Sequence, residues 1–112
     1  MVRVKINPGI CGMTTIVEVR EQSKRMMHFE VKSDCKRAIE INKLSPVSLH
    51  DALRPPAYSI IYLFATTSGF CGSCPIPMAI LKAIEIEAKT ALPKAVTINF
   101  ESTADTDPNS RK

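Results

Sequence analysis

The sequence contains no tryptophan, and aromatic residues make up only 5% of its 112 residues. The hydrophobic core must therefore be built from isoleucine, valine, leucine, alanine and methionine, within an apolar share of 45%. A chain of this length is typical of one domain, so we expect a single globular domain over residues 1–101. Residues 102–112 contain no large apolar side chain and are predicted to be a disordered tail.

Long apolar runs are also missing. No stretch reaches the roughly 18 apolar residues that a membrane-spanning helix needs. The first residues alternate charged and apolar side chains, where a secretory signal would need an unbroken apolar segment. We therefore expect a cytoplasmic protein that does not associate with a membrane.

The motifs of nucleotide-binding and hydrolytic enzymes are missing as well. The sequence has no Walker loop, GxGxxG or HExxH, and its acidic residues are scattered rather than paired. The net charge is +4, but the basic residues form no stripe with interleaved aromatic residues, so we expect no nucleic-acid partner. The sequence leaves open whether the protein is an enzyme and what its oligomeric state is.

Alternation of apolar and polar residues predicts a β-sheet. Residues 2–6, 15–20 and 27–31 each have the period of two that is typical of a half-buried strand, and short turns join them as a meander. The same period recurs in residues 96–101, which are predicted to be the last strand of the sheet. The predicted fold class is α+β, with a mainly antiparallel sheet of about four strands and two or three helices packed on one face.

Helical spacing of apolar residues predicts two helices, over residues 35–44 and 76–92. Pro75 suits the first turn of the second helix, and Pro93 is expected to end it. Residues 58–67 are β-branched and aromatic, and a short apolar run of this kind fits either a strand or a buried helix.

The four cysteines, Cys11, Cys35, Cys71 and Cys74, are predicted to lie at one end of this fold. Short connections make successive elements run up and down, and by this count each cysteine follows an element that ends at the same side. An additional short element in residues 45–57 would reverse the count. Cys35 and Cys74 also precede predicted helices, where free N–H groups favour thiolate over thiol.

Four thiolates are a complete ligand set for a four-iron cluster or for tetrahedral zinc. Structural zinc sites usually use two short knuckles, whereas this sequence joins one CxxC to two isolated cysteines. The Cys74-Pro75 pair is also typical of cluster proteins. We therefore expect an iron-sulfur cluster, with zinc as the alternative, and a role in electron transfer or cluster handling with a redox or other protein partner.

Two other interpretations of the cysteines stay open. Residues 60–65 followed by Cys71-Gly72-Ser73-Cys74 and a helix resemble the redox stretch of thioredoxins. This resemblance implies a dithiol oxidoreductase in which Cys71 attacks a disulfide and Cys74 resolves the intermediate. The remaining interpretation is a non-enzymatic interaction module with structural zinc or with unligated, buried cysteines.

Three motifs give a wider resemblance. Asn7-Pro8-Gly9-Ile10-Cys11-Gly12, Ser33-Asp34-Cys35 and Cys74-Pro75-Ile76-Pro77 resemble those of a family of short uncharacterised proteins from methanogens and other anaerobes. The resemblance covers nearly the whole predicted domain and implies oxygen-sensitive metal chemistry without a mechanism. It associates Cys11, Cys35 and Cys74 with the motifs more closely than Cys71, which leaves a site of three cysteines open.

Overall fold

The computed structural model describes residues 1–102. Within this range the chain forms a four-stranded antiparallel sheet in the order β1-β2-β3-β4. The strands are β1 (Val2–Ile6), β2 (Thr15–Ser23), β3 (Met26–Ser33) and β4 (Val47–Ser48). The α+β fold class and the antiparallel sheet that we expected are confirmed, whereas the predicted tail lies outside the described residues except for Ser102.

The register of the strands separates an apolar face from a charged face. Val17 pairs with Val4 on one side and Val31 on the other, so the apolar residues of β1, β2 and β3 lie side by side. Val17 is fully buried on this face. On the opposite face, Arg3 and Lys32 lie 3.5 and 3.8 Å from the carboxylate of Glu18. The sheet therefore packs on one side only, as its alternating sequence predicts.

The helical elements cover the apolar face. They are α1 (Lys36–Ile39), a 3₁₀ helix (Glu40–Leu44), α2 (Leu49–Ala52), α3 (Ile60–Thr67) and α4 (Ile76–Glu87). α4 packs on β1 and β2, α1 and the 3₁₀ helix pack on β3, and α3 contacts α4. The predicted helix over residues 35–44 is therefore present as two short successive turns of different type.

Residues 58–67 fit a strand or a helix in the sequence, and in the structure residues 60–67 of this segment form α3. Ile61 and Ala65 are its buried residues, and their spacing of four places both on the same side of the helix. Ser59 precedes the helix, and its hydroxyl donates a 2.6 Å hydrogen bond to the carbonyl oxygen of Ala52. This buried bond ties the start of α3 to the end of α2.

The prediction that α4 continues to residue 92 is wrong, because a capping motif ends the helix at Glu87. Lys89 has a φ of 63°, in the left-handed region, and its N–H donates to the carbonyl of Ile86. The N–H of Thr90 donates to the carbonyl of Glu85 at 2.9 Å. These two bonds are the Schellman arrangement, which satisfies the last carbonyls of a helix, here without the usual glycine.

The prediction of a strand over residues 96–101 is also wrong. The fourth strand is the two-residue β4, in which Val47 pairs with Met27, while residues 92–100 have no regular secondary structure. Two residues are too few for a period of two to be recognised in the sequence. An alternating segment, in turn, becomes a strand only where a partner strand accepts its hydrogen bonds.

No helix in residues 1–102 is long and apolar enough to cross a membrane.

Candidate metal centre

The four cysteines lie on three loops. Cys11 is in the connection between β1 and β2, Cys35 separates β3 from α1, and Cys71 and Cys74 lie between α3 and α4. All four are free thiols. Their positions relative to the sheet follow from the strand register and from the contacts at the helix ends.

Two of these loops leave the sheet at the same end. Ile6, the last residue of β1, pairs with Thr15, the first residue of β2. Thr15 in turn pairs with Ser33, the last residue of β3. We call this row of three residues the upper end of the sheet. The loop that contains Cys11 and the segment that begins with Cys35 therefore start side by side.

The third loop reaches the upper end because α4 spans the sheet. A carboxylate oxygen of Glu87, at the end of α4, accepts a 3.0 Å hydrogen bond from the N–H of Glu21. Glu21 belongs to the opposite, lower end of the sheet. The twelve residues of α4 extend about 18 Å, roughly the length of a five-residue strand. The start of α4, next to Cys74, therefore lies at the upper end.

The segment 45–57, where an extra element would have placed Cys71 and Cys74 at the lower end, contains the short elements β4 and α2. These elements do not change the end at which α3 finishes. The N–H of Leu49 donates a 2.8 Å hydrogen bond to the carbonyl of Arg25, which keeps both elements at the lower end. α3 then starts at the lower end, next to α2. At its far end, the guanidinium of Arg37 donates a 3.0 Å hydrogen bond to the carbonyl of Gly69. This bond links α1 directly to the loop that contains Cys71.

The four thiols differ in exposure. Cys11 and Cys71 are exposed, whereas Cys35 and Cys74 are half-buried and pack against the hydrophobic core. Cys74 closes a turn with Cys71, since its N–H donates a 3.0 Å hydrogen bond to the Cys71 carbonyl. Two of the thiols are therefore held against the core, and the other two are accessible to solvent.

Burial raises the pKa of the Cys74 thiol above its ordinary value, and the hydrogen bond from the Ile76 N–H lowers it by less. This is the reverse of the shift expected for a cysteine at a helix start, because desolvation outweighs the single N–H. Negative charges on Cys35, Cys71 and Cys11, in that order, raise the Cys74 pKa further.

The thiols share this end without forming a closed ligand shell. Among residues 1–102, no three cysteine, histidine, aspartate or glutamate side chains are gathered into a group that could hold a metal ion. Gly9 and Gly12 flank Cys11 with φ of 96° and 67°, values that glycine adopts readily. A β-carbon added at either glycine would meet no atom within 4 Å, so there is open space around the Cys11 loop.

Cys35 is positioned by hydroxyl groups that the sequence did not single out for this role. Its N–H donates a 3.0 Å hydrogen bond to Oγ of Ser33. The Ser33 hydroxyl is in turn 2.6 Å from that of Thr15, which is fully buried. The sequence reveals this pair only once the register of β2 and β3 is known, because 18 residues separate Thr15 from Ser33. The hydrogen bond between Arg37 and Gly69 likewise joins residues that are distant in the sequence, 32 positions apart.

The stretch that resembles thioredoxin has a different local structure. In thioredoxins a strand precedes the CxxC motif, whereas here α3 precedes it. Cys71 and Cys74 both lie before α4 rather than in its first turn. The resemblance is therefore limited to the sequence pattern.

Comparison with known families matches residues 2–100 to a family model described as "Family of unknown function (DUF6951)". The match covers most of the chain, which therefore belongs to this family. Neither a search of curated proteins nor a search of solved structures finds a match.

Proposed function

We propose that this member of the family of unknown function DUF6951 binds an iron-sulfur cluster through Cys11, Cys35, Cys71 and Cys74, and acts in electron transfer or cluster handling. The observation that carries the proposal is the position of the four cysteines. They are the only cysteines of the chain and lie on three loops at the upper end of the sheet. Free thiols fit a reducing cytoplasm, and an anaerobic cell would protect a cluster of this kind from oxygen.

The donor set fits the chemistry of such a cluster. Thiolates are the usual ligands of iron in these centres. The positive charge of bound iron would offset burial, which is the main cause of the raised Cys74 pKa, and also the smaller repulsion between the thiolates. Cys35 and Cys74 would hold the cluster against the core, and Cys11 and Cys71 would close over it from their exposed loops. When bound, the cluster would supply one-electron transfer or sulfide and iron for delivery.

The glycine-rich Cys11 loop makes this closure feasible. The loop has open space around both glycines and turns back through a 2.9 Å hydrogen bond from the Gly12 N–H to the Gly9 carbonyl. Both glycines have positive φ, and no neighbouring atom of the described residues lies close to the position of their missing β-carbons. In this proposal the free energy of metal binding would hold the Cys11 loop in its closed position, as it does where metal binding and folding are coupled.

The turn between Cys71 and Cys74 favours a second candidate function, thiol-disulfide exchange. The exposed Cys71 would attack a substrate disulfide, and the half-buried Cys74 would resolve the mixed disulfide. This function requires only two of the four cysteines and leaves the positions of Cys11 and Cys35 unexplained. We therefore rank it below the cluster.

The proposal is tested by purifying the protein without oxygen and measuring iron, zinc and acid-labile sulfide per chain, together with the visible spectrum. Cys11→Ser, Cys35→Ser and Cys74→Ser should each lower the iron and sulfide content and weaken the visible absorption. Cys71→Ser shows whether the site uses four cysteines or three. Ser73→Ala, an exposed change inside the same loop, is the matched control and should retain both iron and sulfide.

Each of the other outcomes would assign the protein a different function. Zinc without iron or sulfide would make the centre structural and the protein an interaction module. A metal-free protein whose Cys71 and Cys74 reduce disulfides would replace the cluster with the exchange reaction. Metal-free protein without such activity would leave the cysteines as unligated core and surface residues.

A further inference from the structure

The C-terminal arm, which we define as residues 92–100, exposes an unusual amount of apolar surface. The exposed fractions of Leu92, Val96, Ile98 and Phe100 are 86%, 52%, 71% and 94%. Apolar residues that are exposed together in this way commonly mark an interaction surface. The family match includes the arm and ends with Phe100, which assigns the arm to the family's common domain rather than to the tail.

The arm has the sequence of a strand and lacks a strand's partner. Val96, Ile98 and Phe100 share one face of an extended chain, while Thr97 and Asn99 lie on the other. Within the part of the chain that the structure describes, no backbone hydrogen bond joins the arm to another residue. The free edge of a sheet would satisfy its N–H and carbonyl groups and cover its apolar face at the same time.

One edge of the sheet is already closed. Beyond the two-residue β4, the backbone of β3 is occupied by side chains of the 3₁₀ helix and the residue after it. Asn42 accepts from the Val31 N–H at 2.7 Å and donates to the Val31 carbonyl at 2.9 Å. Ser45 accepts from the Phe29 N–H at 2.9 Å. These side chains prevent another strand from pairing there, a common protection of sheet edges.

The other edge is open. β1 pairs only with β2, so its outer side has no strand neighbour among residues 1–102. β1 is five residues long, Val2–Ile6, and residues 96–100 are also five. The open edge and the alternating part of the arm therefore match in length.

The two segments also match in the chemistry of their faces. On the core side of β1, Val2 and Val4 are only half-buried, so apolar neighbours on an added strand would extend the core. On the solvent side, β1 carries the cations Arg3 and Lys5. The arm would place the uncharged Thr97 and Asn99 beside them, so that no like charges would face each other.

Among residues 1–102, the chain around Pro93 makes no hydrogen-bonded turn back to its own sheet. The Schellman cap ends α4, and the segment then continues without a hydrogen-bonded turn. Proline has a fixed φ, and the residue before it, Leu92, is restricted to extended conformations. A segment that is exposed and unpaired, and that fits the free edge of its own domain, is suited to exchange between two identical chains.

We propose that two copies of the protein exchange their C-terminal arms, with residues 96–100 of each chain pairing as a fifth strand with β1 of the other. The result is a symmetric dimer in which each β1 edge and each arm is covered. The dimer is independent of metal binding, since the cysteine loops take no part in it.

The test is the mass of the full-length protein in solution, measured by sedimentation under reducing conditions at several concentrations. We expect twice the mass of one chain. Ile98→Asp places a charge on the arm's apolar face and should halve this mass. Thr97→Asp adds the same charge on the opposite face, beside Arg3 and Lys5, and should leave the dimer intact. Because both positions are exposed, circular dichroism should show the same folded domain in both variants.

A cross-linking measurement identifies which edge the arm occupies. Phe100 is replaced by the photoreactive amino acid p-benzoylphenylalanine, and the protein is irradiated and digested. We expect a covalent dimer whose cross-linked peptide contains residues 2–6. A single-chain mass at every concentration, a cross-link within one chain, or a dimer that survives Ile98→Asp would each overturn the exchange.

Discussion

The two ends of the sheet are built differently. At the lower end, side chains and backbone close on one another, as in the bond from the Glu21 N–H to Glu87 and that from Leu49 to Arg25. At the upper end, the Cys11 loop is exposed, contains glycines in the left-handed region and is surrounded by open space. The protein thus has one end at which backbone and side chains hold the elements together, and one end that carries an exposed loop. Exposed loops on a rigid scaffold are common positions for functional residues.

The largest effect on stability is expected from a substitution in the part of α4 that lies near the lower end of the sheet. Ile84 is fully buried in the core, so Ile84→Ala should lower the free energy of unfolding by about 2–5 kcal/mol. Denaturation with urea, in metal-free protein, measures this loss. Lys82→Ala, an exposed change on the same helix, is the control and should have an effect within about 0.5 kcal/mol. A small loss for Ile84→Ala would mean that the lower end does not support the fold.

A smaller effect is expected from the bond between Glu87 and the backbone of Glu21. This hydrogen bond, more than any charge nearby, lowers the pKa of the Glu87 carboxyl. A lowered pKa stabilises the fold fully above the ordinary value of 4.5, and the stabilisation is lost as the pH falls through the folded-state value. Glu87→Gln should therefore cost less than about 1 kcal/mol at neutral pH.

Acid should remove the difference between Glu87→Gln and the original protein. Urea denaturation at several pH values measures it, and the two proteins should converge below the folded-state pKa of Glu87. A difference that persists in acid would show that the cost comes from altered packing rather than from the charge of the carboxylate.

The smallest effect on stability is expected at the upper end. Cys11 is exposed, so Cys11→Ser should change the free energy of unfolding of metal-free protein by no more than about 0.5 kcal/mol. In protein loaded with the cluster, the same substitution should remove the additional stability that a bound ligand provides. Thermal unfolding with and without metal measures both. A large loss in the metal-free protein would make Cys11 a structural residue and weaken the contrast between the two ends.

The sheet could be predicted because its pattern is long and its turns are short. Residues 2–6, 15–20 and 27–31 alternate clearly, and their register brings the valines of three strands together. The helix before Pro93 was placed correctly at its start and wrongly at its end. Lys89, which follows the helix, adopts the left-handed conformation that glycine usually adopts at this position. Because the residue is a lysine, the sequence does not indicate that the helix ends there.

The candidate site could be predicted only as a set of residues. The count of up and down elements places four cysteines at one end, but it does not include the pairing of Thr15 with Ser33 or the bond from Arg37 to Gly69. Those contacts join residues 18 and 32 positions apart and depend on how the elements pack. The direction of the pKa shift at Cys74 was likewise misjudged, because burial is a property of the folded chain.

By itself, the sequence determined which residues are apolar and with what period, and therefore the antiparallel meander, the buried face of α4 and the presence of four thiols in loops. Only the tertiary structure decided what each pattern pairs with. Residues 60–67 form a helix in which Ile61 and Ala65 lie on the same side and are buried in the core. Among residues 1–102, the segment 96–100 has no strand partner, although the outer edge of β1 is free. Local patterns specify a face, whereas hydrogen-bond partners and burial come from segments distant in the chain.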